Sequence, residues 1–256
     1  MLRVEFTGAL GDRLAARLDE PEDANGVYAL FAHCFTCSKD IAAASRISRG
    51  LAERGIGVLR FDFTGLGHSD GEFANTSFSS NVGDLVAAAS WLRAERQAPS
   101  LLIGHSLGGA AVLAAANRVP ESAAVITIGA PADPAHVTHL FGQDATRELE
   151  EHGRAQVSIG GRPFSIGRGL LEDLRAQDPA KVIGDLNRAL LVMHGPGDGI
   201  VGIENAAQLY QWAKHPKSFV SLDDADHLLT RPQDGQFVAD LIAAWAPRYA
   251  SKGQGC

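Results

Sequence analysis

Six short apolar runs, Val27–Ala32, Val58–Phe63, Leu101–Ile103, Ala124–Ile128, Ala189–Met193 and Ser218–Leu222, constrain this chain more than any other feature. They lack strict polar alternation, so each reads as a strand buried on both faces. Helix-period segments at about 39–54, 79–96, 107–118, 203–214 and 233–246 lie between or after them. Strand then helix, repeated, predicts a mostly parallel sheet with helices on both faces. Two earlier β-type runs, Arg3–Thr7 and Leu14–Leu18, flank Gly11-Asp12 and predict an antiparallel hairpin at one sheet edge. The rhythm stops between about 133 and 185. There, 136–152 has mixed helical character, 157–166 reads as a β-hairpin around Gly160-Gly161, and 169–180 reads as another short helix. An insertion of about 50 residues between core strands is usually functional, and it is expected to act as a lid over a site.

The strand Leu101–Ile103 runs into Gly104-His105-Ser106-Leu107-Gly108, and an alanine-rich helix follows. Gly-x-Ser-x-Gly between a strand and a helix places the serine on a sharp turn where side chains at the flanking positions would collide. The Ser106 hydroxyl then stands clear of the backbone at a helix N-terminus, as a nucleophile must, and the Leu107 amide can donate to a developing oxyanion. A serine at neutral pH needs a general base. Of nine histidines, position selects His227, which follows the last strand on a loop at the carboxyl end of the sheet. His33 and His194 end strands but precede turns. His105 adjoins the serine on a turn expected to point it elsewhere, and His136, His139 and His152 belong to the insertion. Asp198, in the Gly-rich turn after Ala189–Met193, is the expected carboxylate behind the imidazole, with Asp133 as runner-up. Asp226 adjoins His227 in sequence and is poorly placed to orient it. The second oxyanion donor is expected after the Val27–Ala32 strand, as the Phe35 amide paired with that of Leu107. Each such donor is typically worth about 10²–10³ in rate.

The same segment holds Cys34-x-x-Cys37, which reads either as two small residues lining the loop or as a redox pair at a strand end. No matching second pair makes it a metal site. Phe61 to Gly71 reads as a structural Gly-rich turn without the glycine spacing of a dinucleotide fingerprint, and no P-loop occurs. No cofactor and no metal are therefore expected. Lys and Arg number 23 against 30 Asp and Glu, a net charge of −7 with no basic block. That balance argues against nucleic acid or an anionic membrane surface as partner. The opening MLRVEFTGALGD lacks the apolar stretch of a signal peptide. The alanine-rich run Leu107–Ala116 is far below the roughly 18–20 residues that span a bilayer, so a cytoplasmic chain is expected. Three cysteines do not make a disulfide framework for a chain of this length. Residues 251–256 read as a frayed end or the start of a linker.

Together these residues resemble the α/β-hydrolase superfamily along the whole chain. The resemblance rests on the Gly104–Gly108 elbow, the Asp198 turn, the Asp226-His227 ending, and the Asp62–Gly71 loop, which matches the family's Asp-x-x-Gly-x-Gly-x-Ser turn. His33 to Asp40, Arg60 to Gly67 and Ala213 to Phe219 are similar, more specifically, to the hydrolase part of bifunctional α/β-hydrolase/OsmC proteins. Cys34 stands where most relatives carry Gly. The resemblance implies an α/β-hydrolase fold: an eight-stranded, mostly parallel sheet, helices on both faces, and one domain over 1–250 with a small lid at about 133–185. It implies a serine hydrolase that cleaves carboxylic esters through an acyl-enzyme, and a short lid with few aromatic residues favours short to medium acyl groups. The partner would be a small-molecule ester, with an OsmC-like domain or protein as a further candidate. A thioesterase, an amidase or a C–C bond hydrolase would use the same triad, and a redox-responsive module serving an OsmC-like peroxidase is the reading from another class.

Overall fold

Alternate residues of the central strands enter two different apolar cores. Leu30, Leu59, Leu102, Val125 and Leu190 pack into one, while Ala29, Val58, Leu101, Ile126 and Leu191 pack into the other. Neither strand face meets water, which is why these runs carry no polar alternation. The computed structural model describes residues 1–22, 26–35, 37–159 and 162–250.

The chain runs β1 (Leu2–Thr7), β2 (Arg13–Asp19), β3 (Val27–Ala32), α1 (Ala42–Ala52), β4 (Ile56–Phe61), α2 (Phe78–Glu95), β5 (Leu101–His105), α3 (Leu107–Ala115) and β6 (Ala124–Ile128). The insertion follows as a 3₁₀ turn (Pro134–Leu140), α4 (Gly142–His152), β7 (Arg154–Ile159), β8 (Arg162–Gly167), α5 (Arg168–Arg175) and α6 (Pro179–Gly184). The core resumes with β9 (Ala189–His194), α7 (Glu204–Trp212), β10 (Lys217–Ser221), α8 (Pro232–Trp245) and α9 (Pro247–Ala250). Eight strands form one sheet in the order β1-β2-β4-β3-β5-β6-β9-β10. The β1–β2 and β2–β4 pairings are antiparallel and all the others parallel. Helices α1 and α8 cover the second core, and α2, α3 and α7 the first. This is the α/β-hydrolase fold expected from the sequence.

Local departures have physical causes. The expected strand 58–63 lies at Ile56–Phe61; just beyond it the Asp62 amide still donates to Ala15 O at 2.9 Å while its side chain binds Lys39. The expected helix 169–180 is two helices. Pro179 disfavours helical backbone at Asp178, and Asp178 instead caps α6 by accepting from the Lys181 amide at 3.1 Å. Strands β7 and β8 form the expected hairpin, while its Gly160-Gly161 turn and the 251–256 tail lie outside the described residues. Leu149, Val157, Ile166, Leu170 and Leu174 of the insertion join the first core rather than forming one of their own. Among the described residues no helix is long and apolar enough to cross a membrane.

Candidate active site

Ser106 sits between β5 and α3 with φ 57° and ψ −127°, a left-handed backbone that a β-substituted residue rarely adopts. The turn is held by the Ser106 amide on Ile128 O at 2.9 Å and by the Gly109 amide on Ser106 O at 2.8 Å. A Cβ on Gly104 would stand 2.3 Å from Gly108 O, and one on Gly108 would stand 2.5 Å from the carbonyl oxygens of both Ala32 and His33. These neighbours are backbone and cannot step aside, so both glycines are obligatory.

The structure brings Ser106, His227 and Asp198 together. His227 Nε2 lies 3.0 Å from Ser106 Oγ, and His227 Nδ1 lies 2.7 Å from Asp198 Oδ2. An ionised carboxylate only accepts, so Nδ1 carries the imidazole proton and Nε2 is left to accept from the serine hydroxyl. Asp198 Oδ1 accepts from the Ile200 and Val201 amides, both at 2.9 Å. Burial pushes the Asp198 carboxyl up, but hydrogen bonds from His227 and from these amides outweigh it and hold the group below its ordinary value. Asp133 is exposed and accepts from the Ala135 amide at 2.8 Å, capping the 3₁₀ turn. Asp226 accepts from the Thr230 amide at 2.8 Å and from the Thr230 hydroxyl.

Phe35 and Leu107 both line the cavity that holds Ser106. The segment carrying Phe35 is anchored at its far end by Asp62, which is fully buried. Asp62 accepts from the Lys39 amide at 2.6 Å, from Lys39 Nζ at 2.5 Å and from the His68 amide at 2.9 Å. The Gly-rich Asp62–Gly71 turn, expected only to be structural, therefore fixes the loop opposite the serine. Cys34 and Cys37 are joined as a disulfide, so they are not two independent small side chains. Both line the same cavity.

Two further residues contact the triad. His105 is buried against the base, with Nε2 2.6 Å from the carbonyl oxygen of His227 and its ring centroid 5.1 Å from that of His227. Gly129 ends β6 with φ 54°, and a Cβ there would crowd Asp198 Oδ2 at 3.2 Å and His227 Nδ1 at 3.5 Å. The signal for Gly129 was present as a glycine directly after a core strand.

The cavity has a volume of about 460 Å³ and an overwhelmingly apolar wall that includes Phe35, Ile41, Leu107, Val201 and Leu228. The insertion contributes His136, Val137, Leu140 and Ile159. The Phe35 ring also packs against Phe73 and Phe141, at centroid distances of 5.5 and 6.2 Å, tying the segment to the insertion.

Sheet order and elbow define an α/β hydrolase. The chain belongs to the Hydrolase_4 family, described as serine aminopeptidase, S33, whose model matches residues 38–182, more than half of its length. It is 52% identical to the esterase domain of a Rhodothermus marinus protein, whose crystal structure covers 97% of this chain and 98% of that one with a TM-score of 0.80. Est1E from Butyrivibrio proteoclasticus, solved with ferulic acid bound, shares the fold at 18% identity and a TM-score of 0.83, over 97% of this chain and 100% of its own. YfhR of Salmonella typhi is 26% identical over 181 residues, 70% of this chain. The match spans only 57% of that relative's length. The family match places this chain among the α/β hydrolases of the S33 serine aminopeptidase kind, and the Rhodothermus marinus neighbour is an esterase domain.

Burial pushes His105 down from 6.5 to about 4, with the neighbouring His227 adding to the effect. Burial also lowers His33. Between pH 6.5 and 4 the unfolded chain takes up a proton that folded His105 refuses. The contribution of His105 to stability is therefore complete above about pH 6.5 and is lost as the pH drops towards 4, roughly 3 kcal/mol for this group alone. Urea denaturation across that window should show the loss, and His105→Gln should reduce its slope while the share of His33 remains; an unchanged slope in the variant would contradict the assignment.

Proposed function

We propose that the protein hydrolyses carboxylic esters with short to medium acyl groups through an acyl-enzyme. The observation that carries this reading is the continuous relay Asp198–His227–Ser106 at the wall of an apolar cavity. Ser106 Oγ attacks the ester carbonyl while its proton passes to His227 Nε2. Asp198 holds Nδ1–H and supports the imidazolium. The oxyanion accepts from the Phe35 and Leu107 amides. As the tetrahedral intermediate collapses, His227 returns the proton to the departing alkoxide, leaving the acyl group on Ser106. Water, deprotonated by His227, then attacks that ester and releases the carboxylic acid and the free serine.

The cavity wall supports an uncharged, apolar acyl group. Its volume lies toward the lower end of small-molecule pockets, which run from about 300 to 1,000 Å³. That size favours short and medium chains over long lipid chains. Among the described residues lining it none is acidic, so none would pair with the ammonium of a peptide N-terminus. This supports ester cleavage over aminopeptidase activity, and the esterase-domain relative points the same way.

Ser106→Ala should lower turnover of p-nitrophenyl butyrate by at least about 10³-fold while leaving the thermal midpoint within a few degrees. Across acetate, butyrate, octanoate and palmitate esters, kcat/KM should peak at the short or medium chains. Wild-type turnover in the variant, or a maximum at palmitate or at an amino-acid anilide, would overturn the reading.

The same reading gives the Cys34–Cys37 disulfide a task, as a brace that closes the segment around Phe35. Dithiothreitol would reduce it by thiol–disulfide exchange, the dithiol becoming a cyclic disulfide as two cysteine thiols form. Loss of the brace should lower kcat about tenfold, less than the typical value of one whole oxyanion donor. Two newly titratable thiols with unchanged kcat would reject this role.

A further inference from the structure

Three parallel strands reach the site edge in a buried histidine. His33 follows β3 directly, His105 ends β5 and His194 ends β9; they are 1%, 1% and 0% exposed. Each ring sets one nitrogen on a backbone carbonyl. His33 Nδ1 is 2.8 Å from Cys34 O, His105 Nε2 is 2.6 Å from His227 O, and His194 Nε2 is 2.8 Å from Val201 O. A carbonyl oxygen can only accept, so in every case that nitrogen carries the proton and donates it. The tautomers of all three rings are thereby fixed.

The opposite nitrogens, Nε2 of His33 and Nδ1 of His105 and His194, are buried without a hydrogen-bond partner among the described residues. The nearest acidic oxygen recorded for His33 Nε2, Asp62 Oδ1, stands 4.0 Å away, beyond hydrogen-bond reach. A buried nitrogen without a partner destabilises the fold, whereas a phenylalanine in the same slot would not carry that penalty. The one N–H that each ring donates is what distinguishes histidine from an apolar filler at these positions.

The three acceptors lie in the three loops that meet at Ser106. Cys34 C=O belongs to the same planar peptide unit as the Phe35 N–H, so holding one fixes the direction of the other. His227 C=O belongs to the residue whose ring faces the serine. Val201 C=O closes the turn in which the Val201 amide donates to Asp198 Oδ1. We infer that His33, His105 and His194 are positioning residues, each pinning one loop through a single N–H so that Phe35, His227 and Asp198 converge on Ser106. This rests on the serine-hydrolase reading above.

The nitrogens used differ, and that makes the inference testable. An asparagine amide nitrogen overlays Nδ1 of histidine, and a glutamine amide nitrogen overlays Nε2. His33→Asn, His105→Gln and His194→Gln should keep kcat for p-nitrophenyl butyrate within about threefold of wild type. The swapped amides, His33→Gln, His105→Asn and His194→Asn, and the three Phe variants should lose at least about tenfold in kcat with KM moved less than threefold. Thermal midpoints identify any variant that fails to fold, and the matched-against-swapped amide comparison still decides, because both amides are of similar polarity. Equal kcat for matched and swapped amides, or wild-type kcat in the Phe variants, would overturn the inference. Labelling of Ser106 by a fluorophosphonate in the wild type separates the two levels. Labelled wild type with no matched-amide advantage rejects the positioning role alone, and unlabelled wild type rejects the hydrolase reading and this inference with it.

Discussion

The contact of Gly108 with the end of β3 is the constraint from which the rest of the site follows. With no side chain at 108, the first turn of α3 presses onto the Ala32 and His33 carbonyls at a distance that a single Cβ would forbid. That contact sets the serine turn and the segment carrying Phe35 in fixed relation, because both hang from the same point. Ser106 is held at φ 57°, a conformation that costs on the order of 1–3 kcal/mol. The strain is sustained by the fully buried strands on either side and by the hydrogen bond from its amide to β6.

Around that fixed point, the loops are held by buried polar groups. Asp62 and Lys39 form an ion pair at 5% exposure or less, with Asp62 also taking two backbone amides. Buried pairs of this kind contribute little net stability compared with apolar packing, but breaking one leaves an uncompensated charge. Their effect is to make the loop's alternative positions costly. The strand-end histidines work in the same sense on a smaller scale, one hydrogen bond per loop. Among the described residues, the insertion lines the cavity with His136 and otherwise with apolar side chains.

Much of this was legible in the sequence, for identifiable reasons. Doubly buried strands announce themselves through uninterrupted apolar runs, and the Gly104–Gly108 pattern has few structural explanations other than an elbow. Asp198 and His227 could be picked because the carboxyl ends of the strands are where loops converge. What could not be read were contacts between loops distant in sequence. His105 adjoins the serine in sequence, yet its ring bonds the backbone of His227, 122 positions on. The Asp62 turn reads as local architecture because nothing in its own sequence reveals that Lys39 is its partner. Gly129 carries a conventional strand-end signature and declares its purpose only when Asp198 and His227 are seen against it. The split of 169–180 into two helices falls at Pro179, which disfavours helical backbone at Asp178.

The central claim is that the elbow holds Ser106 where His227 can activate it and where the Phe35 and Leu107 amides meet the developing oxyanion. A crystal structure of the protein after reaction with an alkyl phosphonate ester tests this most directly, since the tetrahedral phosphorus mimics the intermediate. The account predicts a covalent bond from Ser106 Oγ to phosphorus, with the phosphoryl oxygen within about 2.7–3.1 Å of both amides. An adduct on another residue, or a phosphoryl oxygen turned away from the two amides, would contradict it.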